Sequence, residues 1–228
     1  MRARSNPSPL TVLVSLAYQD SDLILEQMGR SRKTESLDQA VKRIADFTGD
    51  DPYKIRNTAL LRLSEYVASN FDDARGALRW LTDIDKKLGA WAACQVAREA
   101  LRFVSEDEQR PRIAIEVTEA WVRGEASLAR VKKARDAAWA AYYASNDADD
   151  DNDDDATNAA ARAAAIAAAY AAAATVDAAY ASPAASSAAS ASAYNAYDAS
   201  EYDAWDAVRD ADIQRLVGVV ADAIMSFP

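Results

Sequence analysis

The side chains able to do chemistry in this 228-residue chain are almost all carboxylates. Glu116 and Glu119 stand three residues apart, a spacing that puts both on one face of a helix, where paired carboxylates can share general acid–base work. Residues 147–155 read Asp-Ala-Asp-Asp-Asp-Asn-Asp-Asp-Asp and hold seven aspartates: Asp147, Asp149, Asp150, Asp151, Asp153, Asp154 and Asp155. Oxygen-rich loops suit calcium. Counted from Asp147 or Asp149, however, the sixth position lacks glycine and the twelfth lacks glutamate. The run reads as a solvated, self-repelling loop, and its seven aspartates are the candidate partner-binding residues.

What is missing narrows the chemistry further. The chain has no histidine, so it lacks the commonest general base and nitrogen ligand. Cys94 is the only cysteine, and the six glycines form no phosphate-cradling motif. Cys94 reads as a small apolar residue on a helix. We assign no catalytic, cofactor-binding or metal-binding residue from the sequence, and the chain reads as non-enzymatic. The enzyme alternative rests on Glu116 and Glu119 alone.

The elements that position these residues read as helices throughout, with no stretch alternating like a half-buried strand. Leu10 to Tyr18 reads as a first helix with Ser8 as cap and Pro9 at its first position. A secretory signal, with Ser15 and Ala17 placed like a cleavage site, is the alternative. The helix reading carries the expectation of a cytoplasmic protein. No run reaches the ~18 apolar residues a bilayer span requires. Ser36 and Gln39 form a capping-box pattern ahead of Leu37, Ala40, Val41, Ile44 and Phe47. Asp51 and Pro52 start a helix striped by Leu60, Leu63 and Val67, and Asp72 or Asp73 opens another. There Ala74, Ala77, Leu78, Leu81, Ile84 and Leu88 share a face, and Gly89 either breaks the helix or lies within a longer one. Helical character continues through Trp91 and Val96 to about residue 104. Pro111 begins a helix whose expected buried face is Ile113, Val117, Ala120 and Trp121. Gly124 stands where a helix end favours a left-handed residue. The next helix uses Leu128, Val131, Ala138, Trp139 and Tyr142 as its expected contact side.

Composition changes in the second half. From Thr157 to Ser200 the only charged residues are Arg162, Asp177 and Asp198, set in alanine. Alanine is the best helix former, and Pro183 is expected to divide the stretch into one helix near 157–181 and another from about 184. Ile166, Tyr170, Val176 and Tyr180 place the larger side chains on about a third of the first helix, and the alanines permit close helix–helix approach. Ice binding would need regularly spaced threonines on one face, and only Thr157 and Thr175 occur here. A last helix, from about Tyr202 to Ala223, carries Trp205, Val208, Ile213, Leu216, Val217 and Val220 back across the alanine-rich pair. The expected fold is all-α, a multi-helix antiparallel bundle or array with an alanine-rich C-terminal half. Residues 1–75 form an N-terminal helical segment, and 76–228 an alanine-rich domain with an acidic loop at 146–156.

One stretch carries a family resemblance. Residues 109–125, with Arg110, Pro111, Arg112, Glu116, Trp121, Arg123, Gly124 and Glu125, resemble the signature of the alpha-helical immunity proteins encoded beside bacterial polymorphic toxins. Trp91-Ala-Ala-Cys94 upstream, the alanine-rich helices downstream and Asp212-Ile-Gln-Arg-Leu216 fit the same pattern, which covers about residues 80–220. Residues 1–75 have no counterpart in it, and the aspartate run is longer than that pattern leads one to expect. The resemblance implies neutralisation of a toxin. The residues themselves favour a structural role for the motif, with a part in partner binding as the alternative. Pro111 starts a helix, Arg112 and Glu116 pair at i and i+4, and Trp121 anchors the core. Gly124 caps the end, while Arg110, Arg123 and Glu125 tie helix termini together.

Net charge is −10 and the pI about 4.6. That balance disfavours direct contact with nucleic acid phosphates or anionic membranes and favours a basic protein partner such as a toxin or nuclease. The expected function is an immunity or antitoxin-like inhibitor that occludes its partner's active surface. The alternative is a phage or mobile-element inhibitor whose aspartates stand in for nucleic acid phosphates.

Overall fold

The computed structural model describes residues 35–147, 156–177, 180–196 and 202–228, together with Thr11, Val12, Val14, Ser15 and Glu26. Nine α-helices and no strand run through these described residues. They are α1 (Leu37–Thr48), α2 (Pro52–Asn70), α3 (Ala74–Ile84), α4 (Lys86–Ala100), α5 (Arg110–Val122), α6 (Leu128–Asp147), α7 (Ala156–Ala173), α8 (Ala181–Ala196) and α9 (Tyr202–Met225). A single 3₁₀ turn, Leu101–Phe103, follows α4. The all-α array expected from the sequence is the observed fold.

Local chemistry sets the helix boundaries. The Ser36 hydroxyl accepts from the Gln39 N–H while the Gln39 side chain accepts from the Ser36 N–H, so a reciprocal box starts α1. Gly49 ends it with φ of 77°. Asp51 and Asp73 cap α2 and α3 through carboxylate oxygens that accept from the Tyr53 and Gly76 amides.

The break after α3 falls at Asp85, four residues before Gly89. Asp85 Oδ1 accepts from Lys87 N at 2.8 Å and Leu88 N at 3.4 Å, while Oδ2 accepts from Leu37 N at 2.7 Å. One buried carboxylate thus starts α4 and α1 together. Gly89 lies inside α4, where a methyl group would sit 2.1 Å from Thr82 Oγ1 and 2.5 Å from Thr82 Cα. Only a hydrogen fits, and the backbones of α3 and α4 pass in direct contact.

Pro183 does not divide the alanine-rich helices as expected. It lies in the first turn of α8, where a missing N–H costs no intrahelical bond. The chain turns earlier, after Ala173, where the Thr175 hydroxyl donates to the Ala172 carbonyl at 2.8 Å.

The largest enclosed side chains are Val14, Leu37, Ile44, Leu63, Leu78, Leu81, Leu88, Ile115, Leu216 and Ile224, which lie in α1–α5, in α9 and near the chain's start. They join the alanines of α7 and α8 in one continuous core, so residues on both sides of position 75 share it. Helix α9 packs on α2, α3, α4 and α8. The Arg56 guanidinium donates to the carbonyls of Phe227 and Pro228, and Trp91 Nε1 donates to the Ala223 carbonyl at 3.0 Å. Three residues expected on buried faces are exposed: Phe47, Ile113 and Leu128. Each lies in the first or last turn of its helix.

Helix α7 packs against α4, α5, α6, α8 and the 3₁₀ turn. Most of its alanines are enclosed, whereas Ala159, Arg162, Ile166 and Tyr170 form a half-buried stripe along one edge. That edge, between α6 and α8, is where α7 meets the outside. No helix among the described residues is long and apolar enough to cross a membrane.

Gly89→Ala gains helix propensity of about 1 kcal/mol but forces a methyl into the Thr82 backbone, and overpacking of this kind typically costs about 1–3 kcal/mol or more. The expected outcome is a lower melting temperature by circular dichroism. An unchanged or raised value contradicts the close α3–α4 contact.

Candidate functional site

The motif helix α5 is held at both ends. At its start the Arg110 guanidinium pairs with Glu108, whose carboxyl is held below the usual carboxylate range chiefly by that side-chain hydrogen bond. At its end Gly124 takes φ of 81°, its N–H donates to the Trp121 carbonyl at 3.0 Å, and the Glu125 N–H donates to the Ala120 carbonyl at 2.8 Å. These are the two bonds of a Schellman motif. Lys87 Nζ adds a third tie, donating to the Val122 carbonyl at 2.9 Å and lying 5.8 Å above the Trp121 ring. Arg123 Nε meets Glu125 Oε2 at 2.9 Å on the exposed surface.

The buried face of α5 differs from the sequence expectation. Pro111, Ala114, Ile115, Thr118, Glu119 and Val122 face inward, while Ile113 is 45% exposed and Trp121 half-buried. Two polar residues are inside because each is satisfied there. The Thr118 hydroxyl donates to the Ala114 carbonyl at 2.7 Å. Glu119 receives a bidentate clamp from Arg98, Nε to Oε1 at 2.8 Å and Nη2 to Oε2 at 2.7 Å, and Gln95 Nε2 donates to Oε1 at 2.9 Å. Arg112 and Glu116 are exposed and form no ion pair with each other. The charge of Glu116 adds instead to the field at Arg98, whose guanidinium is held more firmly protonated, first by its hydrogen bond to Glu119.

Cys94 lies against this clamp. It is fully enclosed, and its thiol donates to the Ile115 carbonyl at 3.9 Å. Burial, then the negative charge of Glu119, push its pKa far above the ordinary thiol value. The carboxylate and the thiol nearest the motif thus join α4 to α5.

The aspartate run connects α6 to α7. Asp147 is the last residue of α6, and Asp149, Asp150, Asp151, Asp153, Asp154 and Asp155 lie outside the described residues. Four residues before Asp147 a chain of aromatic rings begins. Tyr143 lies 5.1 Å from Tyr142 and 6.4 Å from Trp139, Trp139 lies 5.3 Å from Tyr170, and Tyr170 lies 6.0 Å from Tyr180. The rings cross from α6 over α7 to the start of α8. Both ends stand open to solvent, with Tyr143 59% and Tyr180 42% exposed. Arg162 and Ile166 continue the α7 edge at four-residue steps from Tyr170.

The sequence pointed to the aspartates and missed the tyrosine pair Tyr142–Tyr143 as a surface, along with Asp85, Gln95 and Arg98. The four-residue spacing of Arg162, Ile166 and Tyr170 in an alanine background was the available signal for this edge. No family model, curated protein or solved structure matches the chain. Among the described residues no cluster of His, Cys, Asp and Glu side chains is arranged to hold a metal ion.

Cys94 is expected to resist iodoacetamide in the native protein at pH 8 and to react promptly in denaturant. Its raised folded-state pKa also sets a sign. The stability it contributes is complete below the unfolded thiol value of about 8.5 and falls as pH rises above it. Native-state alkylation as fast as that of the unfolded chain contradicts the enclosure.

Proposed function

We propose that this chain is a non-catalytic binding protein that neutralises a basic protein partner by covering its active surface, in the manner of an immunity protein or antitoxin. The observation that carries the reading is the aromatic strip from Tyr143 to Tyr180, an apolar surface left open beside the start of the aspartate run. Exposed aromatic patches of this kind suit protein interfaces, since tyrosine offers large contact area at low entropy cost. The net charge of −10 favours fast encounter with a positively charged partner. The resemblance of residues 109–125 to the immunity-protein signature supports the same function, with Arg110, Gly124 and Glu125 holding the ends of α5 rather than touching the partner.

The seven aspartates of residues 147–155 favour a second reading, an inhibitor that presents carboxylates where a nucleic acid presents phosphates. The two readings assign different residues to the contact. In the first, aspartates steer and aromatic rings bind; in the second, aspartates bind.

The test starts from the organism that encodes the chain. The purified protein is used to capture partners, these are identified by mass spectrometry, and each is assayed for activity with and without the chain. The first reading expects a basic protein whose activity is blocked. Tyr143→Ala with Tyr180→Ala should weaken the block at least tenfold, while changing the seven aspartates to asparagine should mainly slow association and increase salt tolerance. Full inhibition by the double tyrosine variant, or loss of inhibition only in the asparagine variant, contradicts it. The asparagine result alone supports the mimic.

A further inference from the structure

Helix α6 is an outer helix, packed on α5 and α7. Ala129, Lys132, Lys133, Asp136, Ala140 and Tyr143 are exposed on it and share about a third of its circumference. Charge divides along this helix. Arg130, Lys132 and Lys133, all exposed, fall in its first two turns, and Asp147, its last residue, begins the run of seven aspartates. We propose that the exposed face of α6 docks antiparallel on the same face of a second copy, the cations of each copy meeting the aspartate run of the other.

Three observations carry the proposal. The first is a patch of unpaired cations. Neighbouring Arg123 and Arg135 are tied to Glu125 and Asp136, whereas Arg130, Lys132 and Lys133 form no ion pair among the described residues. They also sit at the positive end of the α6 dipole, which disfavours cations and favours an anion. This is a local positive patch on a chain of net charge −10.

The second is that the chain's own aspartate run falls short of these cations. Lys133 lies about 21 Å before Asp147 along the helix. Helix α7 runs back beside α6, with Tyr142 and Ala159 lining one recess and Trp139 5.3 Å from Tyr170. Residues 148–155 therefore leave and return at the same end, and a connection of that length folds back by at most about 15 Å. Helical side chains tilt toward the helix start, which takes the lysine amines further away.

The third is that a second copy removes the shortfall. With two α6 helices antiparallel and Ala140 facing Ala140, residue 133 of each lies level with residue 147 of the other. The two-fold axis makes every charge contact twice. Single methyl groups at Ala129, Ala140 and Ala144 on this face let the helices approach closely. Tyr143 lies on the same face, so the dimer covers one end of the aromatic strip, but the proposal stands whether or not that strip binds a partner.

Sedimentation of the full chain alone tests it. At about 100 µM protein and about 0.05 M salt the expected mass is twice the 24.6 kDa monomer, falling toward one monomer at about 0.5 M salt as the charges are screened. Lys132→Glu with Lys133→Glu should weaken self-association at least tenfold with the far-ultraviolet circular dichroism unchanged. A second variant, with Asp150, Asp151, Asp153 and Asp154 changed to lysine, should do the same. Mixed together, the two variants should associate again, because every contact across the pair then joins opposite charges. A monomer at low salt, a dimer indifferent to Lys132→Glu with Lys133→Glu, or folded variants that stay apart when mixed overturns the proposal. None of these measurements involves another protein, so this inference and the proposed function fail separately.

Discussion

Helix α7 can be surrounded by α4, α5, α6 and α8 because most of its side chains are single methyl groups. A buried methyl contributes about 0.8 kcal/mol, against about 1.5–3 kcal/mol for a buried leucine. The layer therefore gains its stability from number and from close contact, which brings many weak dispersion contacts within range. Alanine also loses no side-chain rotamers when the helix forms. The same constraint recurs at Gly89, where α4 meets the backbone of Thr82. Close helix spacing is the condition under which the rest of the molecule is arranged.

That spacing has a consequence for the surface. Alanine helices packed this tightly leave no internal room for large side chains, so Arg162, Ile166 and Tyr170 collect along the one open edge of α7. Trp139, Tyr142 and Tyr143 line it from α6, and Ser187, Ser190 and Tyr194 from α8. Two buried carboxylates inside the array are each held by several hydrogen bonds. Asp85 caps two helices, and Glu119 is held by Arg98 and Gln95. These carboxylates act as registers between helices, and the edge of α7 is the surface we propose for contact with a partner.

Much of this was legible in the residues. Ser36–Gln39, Asp51-Pro52, Asp73 and Gly124 mark helix ends because caps are local chemistry and need no tertiary context. Apolar periodicity located the cores of α2, α3 and α9 for the same reason. It failed on α5, where a threonine and a glutamate turn inward because partners on the same helix and on α4 satisfy them. Hydropathy cannot see a partner 21 residues away such as Arg98 for Glu119. Pro183 misled because a proline that ends a helix and one that opens it look alike in sequence. The aspartate run drew attention by its charge, while the aromatic edge beside it became visible only once three helices stood side by side.

The central claim is that the alanine layer is filled to contact. Equilibrium unfolding of Ala168→Leu and Ala185→Leu measures this directly, since both positions are fully enclosed. In a filled layer the added volume forces neighbours apart, and each variant should lose about 1–3 kcal/mol or more. A gain in stability from either leucine, the mark of an underfilled interior, would contradict the claim and the account of the open edge built on it.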